Sequence, residues 1–320
     1  MYVDRGRELS IVVFLAAIAA VLLVFAPSFF GLDNLNNVLV NASYVAIGAL
    51  GQMAVVLTGQ PDISVGSILA VCAMTAGSLA TTGFPLPAVI LLTVLIGVAL
   101  GVINGLLVTQ LGIHSIIVTL GTLGIYRGAM LYFTGAAWVY DLPASFRQIA
   151  LGDVFGVDNP IWIAGLILVV FAYVLSRTAW GRSLYAVGSN PEAARLSGLN
   201  PARLLIGAFA LNGALVAVAA MVYASRFATV QSNIGTGYEF LVITAVVVGG
   251  AHIFGGSGTV FGIALGALLV GVTGTVLVFL EVSAFWEQSL HGLFILLAVG
   301  FDVVRSRVRR GRRAVAAEAS

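Results

Sequence analysis

The segment TGQPDISVGS (58–67) places a carboxylate, Asp62, in an otherwise apolar part of the chain. Gly59 and Pro61 are expected to end the preceding helix, and Asp62 with Ser64 is suited to cap a new one. Broken helices of this kind are tolerated only where their backbone faces protein or water, and they often lie on a transport path. The alternative is that Asp62 is a helix cap at a membrane interface, bonded by backbone N–H groups.

Further polar side chains interrupt other apolar segments of the sequence. Arg127 needs a partner in such surroundings, and we expect an acidic side chain or helix-end carbonyls to supply it. Each polar group could line a path for a solute or could hydrogen-bond neighbouring helices. The candidate residues for a path are Asp62, Ser64, Asn104, Thr119, Thr122, Arg127, Asn212 and Thr244.

The residue types that are missing exclude several chemistries. All 15 Lys-or-Arg positions are arginine, so the chain lacks the lysine that a Walker A loop or a Schiff base needs. The glycine-rich segment GGAHIFGGSG (249–258) therefore does not predict ATP binding. Cys72 is the single cysteine and the three histidines lie far apart in sequence, so neither a disulfide nor a metal site is predicted.

With no converging carboxylate pair or activated nucleophile, we predict no catalytic residue and no cofactor in this chain, and an intramembrane enzyme is disfavoured.

Membrane helices must position these side chains. The chain is 60% hydrophobic and 9% charged, with a mean hydropathy of +1.08, which is more apolar surface than a soluble domain can hide. Because a bilayer core takes about 20 apolar residues per helix, the pattern predicts an all-α polytopic membrane protein with about ten transmembrane helices, including broken or re-entrant segments. The predicted spans are residues 9–30, 38–58, 64–82, 87–109, 113–134, 161–176, 204–224, 240–254, 258–280 and 290–304.

The arginines predict the orientation of these spans. They cluster before the first span, in the loop 177–203 and after the last span, and such clusters are retained in the cytoplasm. The predicted organisation is a cytoplasmic N-terminus (1–8), a transmembrane domain (9–304) and a basic cytoplasmic tail (305–320). Contact with membrane lipid is a by-product of the tail's charge, and nucleic acid is not an expected partner.

Glycine recurs at every fourth position in several predicted spans. This spacing predicts close packing of helix backbones. The positions are Gly101/Gly105, Gly124/Gly128 and Gly258/Gly262/Gly266.

The loop 177–203 is predicted to contain a short helix of its own. Asn190 is suited to cap this helix and Pro191 to occupy its first position. Glu192 would face the positive end of the helix dipole, and Gly198 would end the helix in a left-handed conformation. A short helix across the ends of two spans could be a lever for a soluble partner, or it could be a rigid connector.

The sequence of that helix resembles the EAA–G signature of ABC-importer permeases, with Glu192, Ala193 and Ala194 followed by Gly198. In that superfamily the element is the coupling helix, which docks in a groove of the nucleotide-binding subunit. The resemblance implies that ATP and Mg²⁺ bind to the partner subunit. The residues that it assigns to the contact with the ATPase are Asn190, Pro191, Glu192, Ala193, Ala194, Arg195 and Gly198.

Four segments, in the right order, resemble the sequence boxes of ribose/xylose-type sugar permeases. They are TGQPDISVGS (58–67), HSIIVTLGTLGIYRGAMLYFTG (114–135), GRSLYAVGSNPEAARLSGLN (181–200) and ITAVVVGGAHIFGGSGTVFG (243–262). The segments TLGTLGIYRG, FTGAAWVYDLP and SAFWEQSLHGLFILLAVGFD look closest to permeases for autoinducer-2 and for rhamnose.

This resemblance implies a permease subunit of an importer in the bacterial inner membrane, with a sugar or sugar-like small polar molecule as its substrate. The implied partners are nucleotide-binding ATPase subunits, a second permease subunit and a periplasmic or extracellular sugar-binding protein. The substrate and the choice between homodimer and heterodimer stay open. The alternative function is a secondary transporter driven by an ion gradient, which needs the same broken helices and buried charges but transports without an ATPase.

Overall fold

The structure, a computed structural model, describes residues 5–283 and 285–300. The basic tail 305–320 and the end of the predicted span 290–304 lie outside the described residues. Helix α1 already begins at Arg5, so the predicted boundary at residue 8 does not coincide with a helix end. The assignment of residues 1–8 and 305–320 to the cytoplasm remains a prediction.

Helices make up most of the described chain. Their bounds are α1 (Arg5–Phe25), a 3-10 turn (Pro27–Phe30), α2 (Leu32–Leu57), α3 (Val65–Thr81), α4 (Leu86–Leu111), α5 (Ser115–Thr134), α6 (Ala144–Leu151), α7 (Asn159–Arg177), α8 (Ala179–Ser189), α9 (Pro191–Leu196), α10 (Pro201–Arg226), α11 (Tyr238–Val248), α12 (Val260–Phe279) and α13 (286–300). Two short antiparallel strands, β1 (Asp153–Val154) and β2 (Val157–Asp158), form a hairpin between α6 and α7.

The all-α polytopic fold class is confirmed. Within the described residues, seven helices are long and apolar enough to cross a membrane, while α3 and α11 are shorter apolar helices. At 1.5 Å per residue, α11 is only about 16 Å long, roughly half of a bilayer core. The predicted span 240–254 is therefore wrong in extent: the helix ends at Val248, because Gly249 and Gly250 begin a run of turns. The count of ten spans remains a prediction.

Helix α2 lies at the centre of the bundle. Of its apolar window, 83% is buried, compared with 22% for α4 and for α7. Helices α7, α10, α11 and α12 pack around it, and α4 covers α10. Exposed leucines, isoleucines and valines on α4, α5 and α7 face outward, as lipid-facing surfaces do.

The glycine spacing has two outcomes. At Gly101 a Cβ atom would lie 2.1 Å from the carbonyl oxygen of Phe209, so here the backbones of α4 and α10 are in direct contact, as predicted. Gly262 and Gly266 pack in the same way against the end of α11. The expectation is wrong for Gly124 and Gly128 within the described chain, because both face open space on the outer side of α5.

Contacts between loops identify the two ends of the bundle. At one end, Val139 and Val230 exchange backbone hydrogen bonds of 3.0 and 2.8 Å; we call this the α6 end. At the other end, the Gly256 N–H donates to the carbonyl oxygen of Leu57 over 2.9 Å, and the Tyr185 hydroxyl donates to that of Gly258 over 3.0 Å. This second end carries α8 and α9, and we call it the α9 end.

Candidate functional site

The break between α2 and α3 holds Asp62 in a fixed position. Its Oδ1 atom accepts hydrogen bonds from the Ser64 backbone N–H over 2.8 Å and from the Ser64 hydroxyl over 2.7 Å. Both side chains are fully buried. Ser64 occupies the N-cap position of α3, but its hydroxyl donates to Asp62 and makes no side-chain bond to the helix.

Two other helices complete the surroundings of Asp62. Its Oδ2 atom accepts from the Asn212 amide on α10 over 3.0 Å and from the Asn104 amide on α4 over 3.5 Å. The Asn104 amide also donates to the Ser64 hydroxyl over 2.8 Å, and the Tyr126 hydroxyl lies 3.0 Å from Asn104 Oδ1. Asp62, Ser64, Asn104 and Asn212 thus form one buried polar network that ties the break to α4 and α10.

Threonines of α5 support the same break. The Ile63 N–H donates to Thr119 Oγ1 over 3.0 Å, and the Thr119 hydroxyl donates to the Ser115 carbonyl over 2.8 Å. The Thr122 hydroxyl donates to the Thr119 carbonyl over 3.4 Å, one turn earlier on α5. Six of the eight candidate path residues therefore lie together, in and around the break.

The other two candidates lie elsewhere. Arg127 donates to the carbonyl oxygens of Ile234 over 2.6 Å and of Gly66 over 3.4 Å. Its partners are thus backbone carbonyls in the turns before α11 and in the first turn of α3, not carbonyls at a helix end. Thr244 on α11 donates to the carbonyl of His291 on α13 over 3.4 Å. Both residues join helices or loops to one another, as hydrogen bonds between membrane helices do.

The short helix α9 has the predicted local structure. The Asn190 side chain accepts from the Ala193 N–H over 3.0 Å, Pro191 occupies the first turn, and Gly198 has φ +84° beyond the end of the helix. Ala194 is its one buried side chain. Glu192, Arg195 and Leu196 are exposed, and Leu196 is 84% exposed.

Helix α8 connects α9 to both helix breaks. A Cβ atom on Gly188 would lie 1.8 Å from the carbonyl oxygen of Leu57 and 2.6 Å from the Gly256 nitrogen. The glycine-rich turns 249–258 also touch the other break, since a Cβ on Gly59 would lie 3.0 Å from the Phe254 carbonyl oxygen. The end of α8, the end of α2 and the turns after α11 thus meet backbone to backbone at Gly188, two residues before the α9 cap Asn190.

The Tyr185 hydroxyl reinforces this junction. It donates to the Gly258 carbonyl over 3.0 Å, and burial raises the pKa of Tyr185 to about 12. The hydroxyl therefore stays protonated and remains a donor at physiological pH.

A polar cavity at the α6 end was not anticipated from the sequence. It has a volume of about 380 Å³ and lies between α2, α11, α12 and the start of α13. Three asparagines of α2, Asn34, Asn37 and Asn41, share one of its walls. The spacing i, i+3, i+7 places residues on one helix face, so the asparagine pattern in 34–41 is the signal that would have predicted it.

Among residues 5–283 and 285–300, no group of three or more His, Cys, Asp or Glu side chains is arranged to hold a metal ion. Cys72 is buried on α3.

Comparisons with known proteins identify the family. The family model described as "Branched-chain amino acid transport system / permease component" matches residues 34–299. The autoinducer 2 import system permease protein LsrC of Escherichia coli O9:H4 (strain HS) is 38% identical over 306 residues, which cover 94% of this chain and 88% of that protein. The protein of the same name from Yersinia pestis (strain Pestoides F) is 37% identical over 301 residues, covering 94% and 86% of the two chains.

No solved structure matches this chain significantly. The match to the family model covers most of the sequence, and the likeness to the two relatives extends over nearly all of it. The chain therefore belongs to the branched-chain amino acid transport system permease family, and it is a multi-pass membrane permease subunit of the ABC-importer type.

Proposed function

We propose that this permease subunit works with a separate ATPase that docks on α9, and that it imports a sugar-like small polar molecule. The observation that carries the proposal is the position of α9. Its outward residues Glu192, Arg195 and Leu196 are exposed, while the adjoining end of α8 contacts the breaks that follow α2 and α11. A partner that binds α9 would therefore act directly on the discontinuous helices of the membrane domain.

The orientation in this proposal places the α9 end in the cytoplasm. Arg177, Arg182, Arg195 and Arg203 belong to this end, whereas the loop after α6 carries Asp153 and Asp158. This distribution agrees with retention of positive charge in the cytoplasm. ATP and Mg²⁺ would bind to the ATPase, and a soluble binding protein would deliver substrate at the α6 end to a pair of permease subunits.

The mechanism we propose runs through backbone contacts. Closure of the ATPase dimer moves α9 and, with it, Gly188 at the end of α8. Because Gly188 lies against Leu57 and Gly256, the movement is transmitted to the breaks by steric contact. The Asp62 network then keeps the first break attached to α4 and α10, so these helices move with it as a unit.

The sugar-like substrate class is supported by the relatives. Both are named as permeases of an autoinducer 2 import system. We extend to this chain the broader class of small, hydroxylated, uncharged molecules, which includes autoinducer 2, rhamnose and ribose.

Purification of this chain from its native membrane tests the partnership. We expect a Walker-type ATPase to co-purify, and we expect replacement of Glu192 and Arg195 by alanine to release it.

Transport into proteoliposomes then distinguishes an ABC importer from a secondary transporter. For an ABC importer, import should need the ATPase, ATP and the binding protein. Uptake by this chain alone, driven by an ion gradient, would instead establish a secondary transporter.

A further inference from the structure

The asparagine wall of the cavity at the α6 end includes two amide NH₂ groups, those of Asn37 and Asn41, that the described residues leave without an acceptor. The guanidinium of Arg226 donates to Asn37 Oδ1 over 3.0 Å and also to Asn41 Oδ1. Because arginine only donates, these bonds fix both amides with their oxygen atoms toward Arg226 and their NH₂ groups turned away from it. Within the described residues, neither NH₂ group has a protein acceptor.

The opposite wall supplies acceptors. Glu287 on α13 lines the cavity and its side chain is 37% exposed, with Oε1 at 3.6 Å from His291 Nε2. Gly274 on α12 makes room for this carboxylate, since a Cβ there would lie 2.8 Å from Oε1. Thr275 also lines the space, and its hydroxyl donates to the Gly271 carbonyl over 3.3 Å. Free amide donors and a carboxylate therefore face each other across one cavity.

An aromatic side chain completes the cavity. Tyr44 lies one turn beyond Asn41 on α2, in edge contact with Tyr223 at 5.0 Å between ring centroids and stacked on Tyr238 at 6.3 Å. The Tyr238 hydroxyl donates to the Tyr44 carbonyl over 2.8 Å. These contacts hold the ring rigidly at the cavity wall.

The donor and acceptor pattern determines which ligand fits. Hydroxyl groups both donate and accept, so a polyhydroxylated molecule can satisfy free amides and a carboxylate together. One positive group, Arg226, and one negative group, Glu287, lie at this site, which favours an uncharged ligand. The volume of about 380 Å³ is within the ~300–1,000 Å³ range of small-molecule pockets. An asparagine wall facing hydrocarbon would be costly, so water or a polar solute must cover it.

We propose that this cavity is an entry site for an uncharged polyhydroxylated substrate, with Asn37 and Asn41 donating to its hydroxyl groups and Glu287 accepting from them. The inference rests on the proposed function, because it takes the α6 end as the side from which substrate arrives. Tyr44 packs against the apolar face of the molecule.

Cysteine protection tests the site directly. Replacing Cys72 by alanine removes the only thiol in the sequence, and Thr275→Cys then places a single thiol in the cavity. The matched control is Asn36→Cys on the same bundle end, because Asn36 bonds Asp158 and does not line the cavity. A membrane-impermeant thiol reagent is applied with autoinducer 2, D-ribose or L-leucine as the probe.

We expect autoinducer 2 or D-ribose to slow labelling at position 275, by about tenfold when the probe is at ~10 times its Kd. Labelling at position 36 should not change, and zwitterionic L-leucine should protect neither position. Protection by L-leucine alone, or equal labelling with and without every probe, would overturn the inference. So would a thiol at position 275 that reacts only after two permease subunits are separated, since a second copy would then cover the cavity.

A transport assay separates this inference from the proposed function. If wild-type chain with its ATPase imports substrate but no probe protects position 275, only the entry site is wrong. If the wild-type complex shows no ATP-dependent import, the proposed function itself fails. Asn37→Ala should lower import at subsaturating substrate, whereas Asn36→Ala should not.

Discussion

Gly188 of α8 lies so close to the end of α2 that a Cβ atom on it would be 1.8 Å from the carbonyl oxygen of Leu57. No side chain intervenes between these two backbones. The contact links the loop that carries α9 to the first helix break, and it makes the proposed coupling sensitive to a single methyl group.

Gly188→Ala should therefore impair coupled transport. The new methyl group must displace the backbone of Leu57 or Gly256, and we expect a loss of stability of about 1–3 kcal/mol and a fall in ATP-dependent import of tenfold or more. Thermal unfolding in detergent and import into proteoliposomes measure the two effects. Gly165→Ala on α7 is the matched control, since its Cβ would meet nothing within 4 Å. Import at the wild-type rate by the Gly188→Ala protein would argue against coupling through this contact.

The exposed Leu196 should contribute to ATPase binding. Replacing it with alanine removes most of an apolar side chain that is 84% exposed, and burial against a partner would be lost. We expect the amount of co-purifying ATPase to fall severalfold with no change in thermal unfolding. Phe155→Ala, at an even more exposed site (95%) near the α6 end, is the control. Equal losses in both variants would show that the effect is not specific to α9.

Asp62→Ala tests whether the buried network holds the fold or contacts the solute. The substitution leaves the Ser64 N–H, the Ser64 hydroxyl and the Asn212 amide without their acceptor, which should cost at least about 3 kcal/mol for three buried donors. We expect a lower unfolding temperature and a lower yield of folded protein. Thr93→Val is the control, because within the described residues the buried Thr93 hydroxyl has no partner to lose. Unchanged stability with abolished import would instead place Asp62 on the path.

Arg127→Leu should loosen the connection between α5 and the loop that precedes α11. Arg127 bonds the carbonyl of Ile234 over 2.6 Å, and leucine provides no donor for it. Hydrogen exchange of residues 231–237 should become faster, while exchange in α12 stays the same. Uniformly faster exchange across the whole protein would mean a global loss of stability and no local role for Arg127.

The Tyr185 hydroxyl should contribute a pH dependence at alkaline pH only. Burial raises the pKa of Tyr185 from 10.0 to about 12, so the folded state favours the protonated form. Its stabilising contribution is complete below pH 10 and is lost as the pH rises towards 12. Comparison of wild type with Tyr185→Phe by thermal unfolding should show a constant difference of about 1 kcal/mol at neutral pH. A difference that changes between pH 6 and pH 9 would contradict this assignment.

Several features of this protein follow from the sequence alone. Apolar runs of sufficient length determine membrane helices wherever they occur, because backbone polar groups in lipid must be bonded within a helix. The structure of α9 is equally local: Asn190, Pro191 and Gly198 act within a few residues, so cap, first turn and end are determined by their own side chains.

The tertiary structure decided which distant residues meet. Asp62 and Asn212 are 150 positions apart, and nothing in either local segment specifies their hydrogen bond. The same holds for Arg226 and Asn37. Their hydrogen bond occupies the amide oxygen of Asn37 and leaves its NH₂ group free at the wall of the cavity. The glycine pairs make the point again: Gly101 packs against α10 while Gly124, with the same spacing, faces open space. A spacing determines the face of a helix, but the partner of that face depends on how the whole bundle packs.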